Sequence, residues 1–229
     1  DKRSPWQFEQ TGTRELTAED FVYQIKRLAH PRASSPILGH MSEYIVGLGQ
    51  LSARLAQDNR AALARHSAEF GPTDRSFPWL DLRRYRIEGV EALDRYRYRI
   101  RIKGKYPQFV YWLAMPFFAP IPWEADRFYA QRGMTEGRNL TLDWYPVGTG
   151  PYMLVENDPN ARMVLERNPN YRGEPYPEEG EPGDREAGLL ADAGKMAPFT
   201  DRVIFSRERE GIPYWNKFLQ GYYDQSGIG

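Results

Sequence analysis

From Arg95 to Ile102 the chain alternates without a break, with arginine at 95, 97, 99 and 101 and tyrosine or isoleucine at 96, 98, 100 and 102. A helix scatters that pattern over every side. A strand sorts it, because successive side chains point to opposite faces. Residues 82–103 are therefore predicted to form a β-hairpin with Leu93-Asp94 at its turn. Tyr96, Tyr98, Ile100 and Ile102 are expected on the core face, and the arginines in solvent. Arginines beside tyrosines also compose a single-strand nucleic-acid platform. The charge balance weighs against it, since 31 Lys and Arg face 31 Asp and Glu and leave no net pull on a polyanion.

The remaining segments mix helical and strand signals. In residues 14–29 Thr17 reads as an N-cap, with Asp20 in the capping-box position. Phe21, Val22, Ile25, Leu28 and Ala29 then share one helical face, and His30-Pro31 ends the run. Residues 50–68 look helical, but Leu51, Leu55 and Leu63 give only a thin apolar stripe, so this helix is expected at the surface. The aromatic stretch 106–130 predicts a short helix from Pro107 to Ala114, breaks at Pro116, Pro120 and Pro122, and a second short helix from Trp123. Its rings suit a core, or a sugar-binding platform. A second hairpin is predicted from Tyr152–Glu156 and Met163–Arg167 around the turn "NDPNA". Residues 167–188 read as a long surface loop rich in Pro, Gly and acid. "DRVIFSR" reads as a strand, and "IPYWNKFLQGYYD" as a last amphipathic helix with Pro213 at its start and Gly221 near its end. The fold class is α+β.

Hydrophobic residues at 41% and charged residues at 27% indicate a globular chain. The absence of cysteine excludes disulfides, thiolate metal sites and a cysteine nucleophile. No stretch approaches the ~18 apolar residues of a membrane span. The opening "DKRSPWQFEQ" has no apolar core, so the signal of an exported protein would lie outside this sequence. Gly148-Thr149-Gly150 is not a P-loop, because no Gly-Lys-Ser/Thr follows, and a dinucleotide fingerprint fails at Met153. His30, His40 and His66 lack metal spacing, and His40 with Glu43 reads as a surface pair. Asn139-Leu140-Thr141 fits a glycosylation sequon of the kind that arises by chance. No two carboxylates form an acid/base frame. Neither an enzyme nor a metal or cofactor is indicated.

Several blocks resemble family 5 extracellular solute-binding proteins, the peptide, dipeptide and nickel receptors of ABC importers. "GTRELTAEDFVYQIKRL" is similar to the family's Gly-x-x-Leu-Thr-Ala-x-Asp helix opening. "IEGVEALDRYRYRIRIK" is similar to its next hairpin, where a G-v-x-a-x-D turn precedes an alternating strand. "YPVGTGPYML", "MVLERNPNYRG" and "DRVIFS" follow in the family's order. The resemblance implies a periplasmic-binding-protein-like lobe fragment. Residues 1–145 would be the peripheral subdomain with the LTAED helix, 146–229 part of the first ligand-binding lobe, and the second lobe absent. It implies a periplasmic or membrane-anchored monomeric receptor that captures peptides or related small solutes and delivers them to ABC permease subunits, without nucleic acid. The alternative is a carbohydrate- or nucleic-acid-binding module using the aromatics and the arginine strand. The family's cleft-facing Ser-Pro-x loop falls on Ser35, Pro36 and Ile37, without the aromatic that often follows the proline. Gly148, Thr149, Gly150 and Pro151 are expected to be a structural turn, with both glycines at positive φ between stiff prolines. An exposed strand edge is expected near Val203–Phe205.

Overall fold

Helix α1 (Ala18–Leu28) begins where the sequence places it. The Asp20 carboxylate accepts from the Thr17 backbone N–H at 2.9 Å and from Thr17 Oγ1 at 3.3 Å, closing the capping box. Arg14 grips the same carboxylate. Burial pushes the Asp20 carboxyl up, but Arg14 and Thr17 outweigh it and hold the group below its ordinary value. The computed structural model describes residues 8–9, 12–74, 76–134, 140–158, 160–208 and 211–226. It divides into two compact units, Asp1–Gly148 and Thr149–Gly229. Asn139 of the sequon lies outside the described residues, as does most of the opening decapeptide.

In the first unit α1 packs on a small hairpin, β1 (Val90–Ala92) with β2 (Tyr98–Ile100). The strands run antiparallel with Val90 opposite Ile100 and Ala92 opposite Tyr98. The hairpin is shorter than the sequence predicts. Asp81 Oδ1 accepts from the Arg83 N–H and turns Leu82–Arg84 into a 3₁₀ helix. Tyr96 departs from the expected core face. It sits in the turn, is 66% exposed, and donates its hydroxyl to Glu15. Asp94 Oδ1 makes that turn by accepting from the Tyr96 and Arg97 N–H groups, both at 2.9 Å. Arg95, Arg97, Arg99 and Arg101 are solvated as expected, and each pairs with a carboxylate: Glu15, Asp94, Glu91 and Glu88 respectively.

Gly89 explains the glycine of the same block. Its N–H donates to Val46 O and its carbonyl accepts from the Arg101 N–H, while Val46 N–H reaches Arg101 O. A Cβ at Gly89 would lie 2.5 Å from Val46 O, so three backbone segments meet where only glycine fits.

Helices α2 (Leu38–Tyr44) and α3 (Leu48–Phe70) pack together. The expectation of a surface α3 is wrong for its first half. Leu48 and Leu55 are fully buried and Leu51 nearly so, in one cluster with Val22, Ile25, Met41, Ile45 and Val90. Three leucines suffice because the stripe needs only to face a core built by other segments. Helices α4 (Phe109–Leu113) and α5 (Trp123–Tyr129) flank a 3₁₀ turn at Pro116–Phe118, and the aromatics Phe109 and Phe118 enter the same core.

The second unit holds an antiparallel sheet of order β3-β4-β7, from β3 (Tyr152–Asp158), β4 (Arg162–Arg167) and β7 (Arg202–Ser206). A bulge lies between Leu154 and Glu156. β7 pairs only with β4 among the described residues, so Val203–Phe205 is on an edge, with Ile204 and Phe205 exposed. The acidic loop is closed at its base by a two-residue ladder, β5 (Glu174–Pro175) with β6 (Met196–Ala197). Helix α6 (Gly211–Leu219) ends before Gly221, which takes φ +79°.

Candidate functional site

The loop after α1 is built without glycine. His30 Nδ1 accepts the Arg32 N–H at 3.1 Å, and Pro31–Ala33 form one 3₁₀ turn. Burial pushes the His30 imidazole down to about 4, so it is neutral at pH 7. Ser34 then adopts the left-handed region, φ 44° and ψ 41°, the one non-glycine residue to do so among those described. Such a conformation costs about 1 kcal/mol for an L-residue. Ser35 follows with its Oγ buried and without a hydrogen-bond partner, a second local cost. Pro36 is exposed. Ile37 is 7% exposed, belongs to the core cluster, and precedes α2. Of the three residues assigned to the cleft, Ile37 is an anchor whose side chain points inward, and Ser35 and Pro36 form the outer bend.

The turn at Gly148–Pro151 differs from expectation in its backbone. Neither Gly148 nor Gly150 has a left-handed φ, and a Cβ at either would meet nothing within 4 Å. The turn is held from the other end of the hairpin. Asn168 Nδ2 donates to Gly150 O at 2.9 Å, and its backbone N–H donates to Pro151 O at 2.9 Å. Asn168 Oδ1 accepts the Asn170 N–H at 3.0 Å. Arg167 continues the clamp by donating to Thr200 O and Phe199 O and pairing with Asp201. The "GTGPY", "RNPNY" and "FTDRVIF" runs are therefore one hydrogen-bonded unit. Sequence reasoning missed Asn168. Its signal was the "RNPNY" run of the family resemblance, in which it was given no role of its own.

Two other polar clusters have chemical interest. Ser76 Oγ lies 2.9 Å from His66 Nε2, and Asp74 Oδ1 lies 3.4 Å from the same nitrogen. Asp74 also takes a 2.5 Å hydrogen bond from Ser76 Oγ itself. A nucleophile–base–orienter chain needs the carboxylate on the opposite ring nitrogen. Here all three groups converge on one point, and Arg132 Nε adds a 2.7 Å contact to Asp74. The Ser76 hydrogen bonds hold the Asp74 carboxyl well below the usual range. The cluster ties α3 to the loop after it. His40 Nε2 sits 3.4 Å from Tyr106 Oη, and its ring packs against Tyr44, Tyr106 and Trp112 rather than against Glu43. No grouping of His, Asp and Glu among the described residues suits a metal ion. No described helix is long and apolar enough to cross a membrane.

Comparison with known proteins agrees with this architecture. The sequence model of "Bacterial extracellular solute-binding proteins, family 5 Middle" matches residues 10–182. The periplasmic oligopeptide-binding protein OppA of Salmonella typhimurium is 28% identical over 157 residues, 68% of this chain and 23% of that protein. The nickel-binding periplasmic protein of Escherichia coli is 33% identical over 96 residues, 42% of this chain and 17% of that protein. Among solved structures, a periplasmic oligopeptide-binding protein from Borrelia burgdorferi superposes with a TM-score of 0.57 at 18% identity, over 92% of this chain and 31% of that one. An oligopeptide transporter's substrate-binding domain from Bacillus anthracis gives 0.56 at 16% identity, over 92% and 30%. The chain thus spans under a third of the length of these relatives. The family match runs over more than half of the sequence, in the segments whose capping box, glycine junction and asparagine clamp are described above, and the chain belongs to the family 5 bacterial extracellular solute-binding proteins.

Proposed function

We propose that the protein to which this chain belongs is the extracytoplasmic receptor of an ABC importer, capturing peptides or related small solutes and passing them to permease subunits. The observation that carries this reading is the family match over residues 10–182. The relatives named for oligopeptides, di- and tripeptides and nickel set the range of cargo to test. In this reading residues 1–145 form the peripheral subdomain and 146–229 part of a ligand-binding lobe. The receptor acts as a monomer, and its mechanism is hinge closure around the solute rather than covalent chemistry. Ser35 and Pro36 border the cleft, supported by the two local costs at Ser34 and Ser35. Strain of this kind collects at ligand clamps. The nucleic-acid alternative is disfavoured by the hairpin arginines, each of which already has its own carboxylate.

The test uses the full-length gene product. Envelope fractionation locates it. Calorimetric titration with defined di-, tri- and oligopeptides, and separately with nickel, reads its cargo. Micromolar or tighter binding of one class, weakened by Ser35→Ala together with Pro36→Ala, supports the proposal. A cytosolic product that binds none of them overturns it.

A further inference from the structure

The arginines of the first unit fall into two populations. On the hairpin every guanidinium has its own carboxylate. Around Asp126 and Asp81 the cations outnumber their partners. Asp126 serves Arg27 at 3.2 Å while also accepting from Tyr23 Oη at 2.6 Å and Trp79 Nε1 at 3.3 Å. Asp81 is shared by Arg83 at 2.8 Å and Arg84 at 3.6 Å. Arg32 and Arg127 have no ion pair among the described residues. Glu124 lies on the same helix as Arg127, but Arg14 occupies it.

Three cations of this group rest on aromatic rings, the unpaired Arg32 and Arg127 and the Asp81-paired Arg83. Arg83 lies 3.6 Å over Trp123, Arg32 lies 4.0 Å over Phe77, and Arg127 lies 5.8 Å from Trp79. The two indoles are 6.1 Å apart, which makes the floor continuous on that side. Asp126 joins the parts, because it bonds Trp79 and acts electrostatically on Arg32. Arg32, Arg83 and Arg127 are exposed, and so is the Phe77 ring at 37%. A guanidinium stacked on a ring is fixed in orientation with its N–H edge available, as at Arg32 and Arg127, whereas Arg83 already gives its Nε and Nη2 edge to the two Asp81 oxygens at 2.8 Å each. That planar fork fits a carboxylate with two parallel hydrogen bonds.

We propose that Arg32 and Arg127, laid over Phe77 and Trp79 beside the Asp81-paired Arg83 on Trp123, form a docking surface for an acidic segment of a partner polypeptide. Charge complementarity selects the carboxylates, and the ring edges take the apolar stems and backbone between them. A nucleic acid fits less well. It needs a basic track long enough to follow its phosphates, and the arginines of the neighbouring hairpin are already neutralised. The inference does not rest on the import reading, because it is argued from charge and ring contacts alone, although Arg32 stands in the same loop as Ser35 and Pro36.

The test is fluorescence anisotropy of a labelled poly(Glu-Ala) peptide titrated with the whole chain at low and at moderate salt. Saturable binding is expected, weakening as salt rises. The double variant R32Q/R127Q should weaken it about tenfold or more. R32K/R127K keeps the charge but loses the planar fork, and should recover only part of that loss. R97Q/R99Q, on the paired hairpin, should bind like the parent. Thermal unfolding of each variant confirms that it folds. The proposal is overturned if R32Q/R127Q binds like the parent or R97Q/R99Q loses as much. It is equally overturned if binding is not saturable at low salt, or if labelled oligothymidylate of equal charge binds more tightly through the same arginines.

Discussion

The Gly148–Pro151 turn should owe its stability to Asn168 and not to the conformations of its glycines. Asn168→Ala removes two side-chain hydrogen bonds, to Gly150 O and from the Asn170 N–H. Each is worth about 0.5–1.5 kcal/mol net, and both are exposed, so the loss should be about 1–2 kcal/mol. Asn168→Asp keeps the acceptor for Asn170 but turns a carboxylate oxygen toward Gly150 O. It should cost at least as much as alanine despite its shape. Gly148→Ala should cost nothing, because its φ is not left-handed and its Cβ meets open space. It should even stabilise by about 0.4–1 kcal/mol through the unfolded chain. Urea unfolding followed through the second unit gives these values. Hydrogen exchange at the Asn170 amide adds a local reading, faster in Asn168→Ala and unchanged in Asn168→Asp. If Gly148→Ala is destabilising by more than about 1 kcal/mol while Asn168→Ala is neutral, the clamp has been assigned to the wrong residue.

Three further outcomes are expected. Leu55→Ala, in the fully buried first half of α3, should cost about 2–5 kcal/mol, and Leu63→Ala, half-buried in its second half, under about 1.5 kcal/mol; equal losses in thermal or urea unfolding would return α3 to the surface. Gly89→Ala places a Cβ 2.5 Å from Val46 O and should cost at least about 2 kcal/mol, read as slowed folding or a lowered urea midpoint; a neutral result would mean that the three-way junction is loose. Stability should fall with acid between the His30 unfolded value of about 6.5 and its folded value of about 4, because the unfolded chain binds the proton first. Partial exposure of the ring reduces the change to about 1–2 kcal/mol, and a His30→Gln variant with an equally steep decline over that window would remove His30 as its cause.

What was legible in the sequence is what closes within a few residues. Thr17 and Asp20 sit three apart, and their hydrogen bond forms from that spacing alone. Asp94 caps its own turn two and three residues on. The second hairpin and the β7 strand follow from a period of two. The short first hairpin and the exposed Tyr96 follow from local turns at Asp81 and Asp94, but two other misses depend on distant partners. The stripe on α3 looked too thin because α1, α2 and the hairpin supply the rest of that core. The glycines at 148 and 150 suggested left-handed backbone, whereas the constraint arrives from Asn168, 18 residues away. The same division separates scaffold from site. Three of the blocks that carry the family resemblance contain a residue engaged with backbone groups: Asp20 at the α1 start, Gly89 at the junction, Asn168 at the clamp. Each of these residues is accounted for by the scaffold without a solute. In the loop after α1 two features have no such account, the left-handed backbone of Ser34 and the buried Ser35 hydroxyl that lacks a hydrogen-bond partner. That is the physical reason to look for the cleft beside Ser35 and Pro36 rather than in the more recognisable glycine turn.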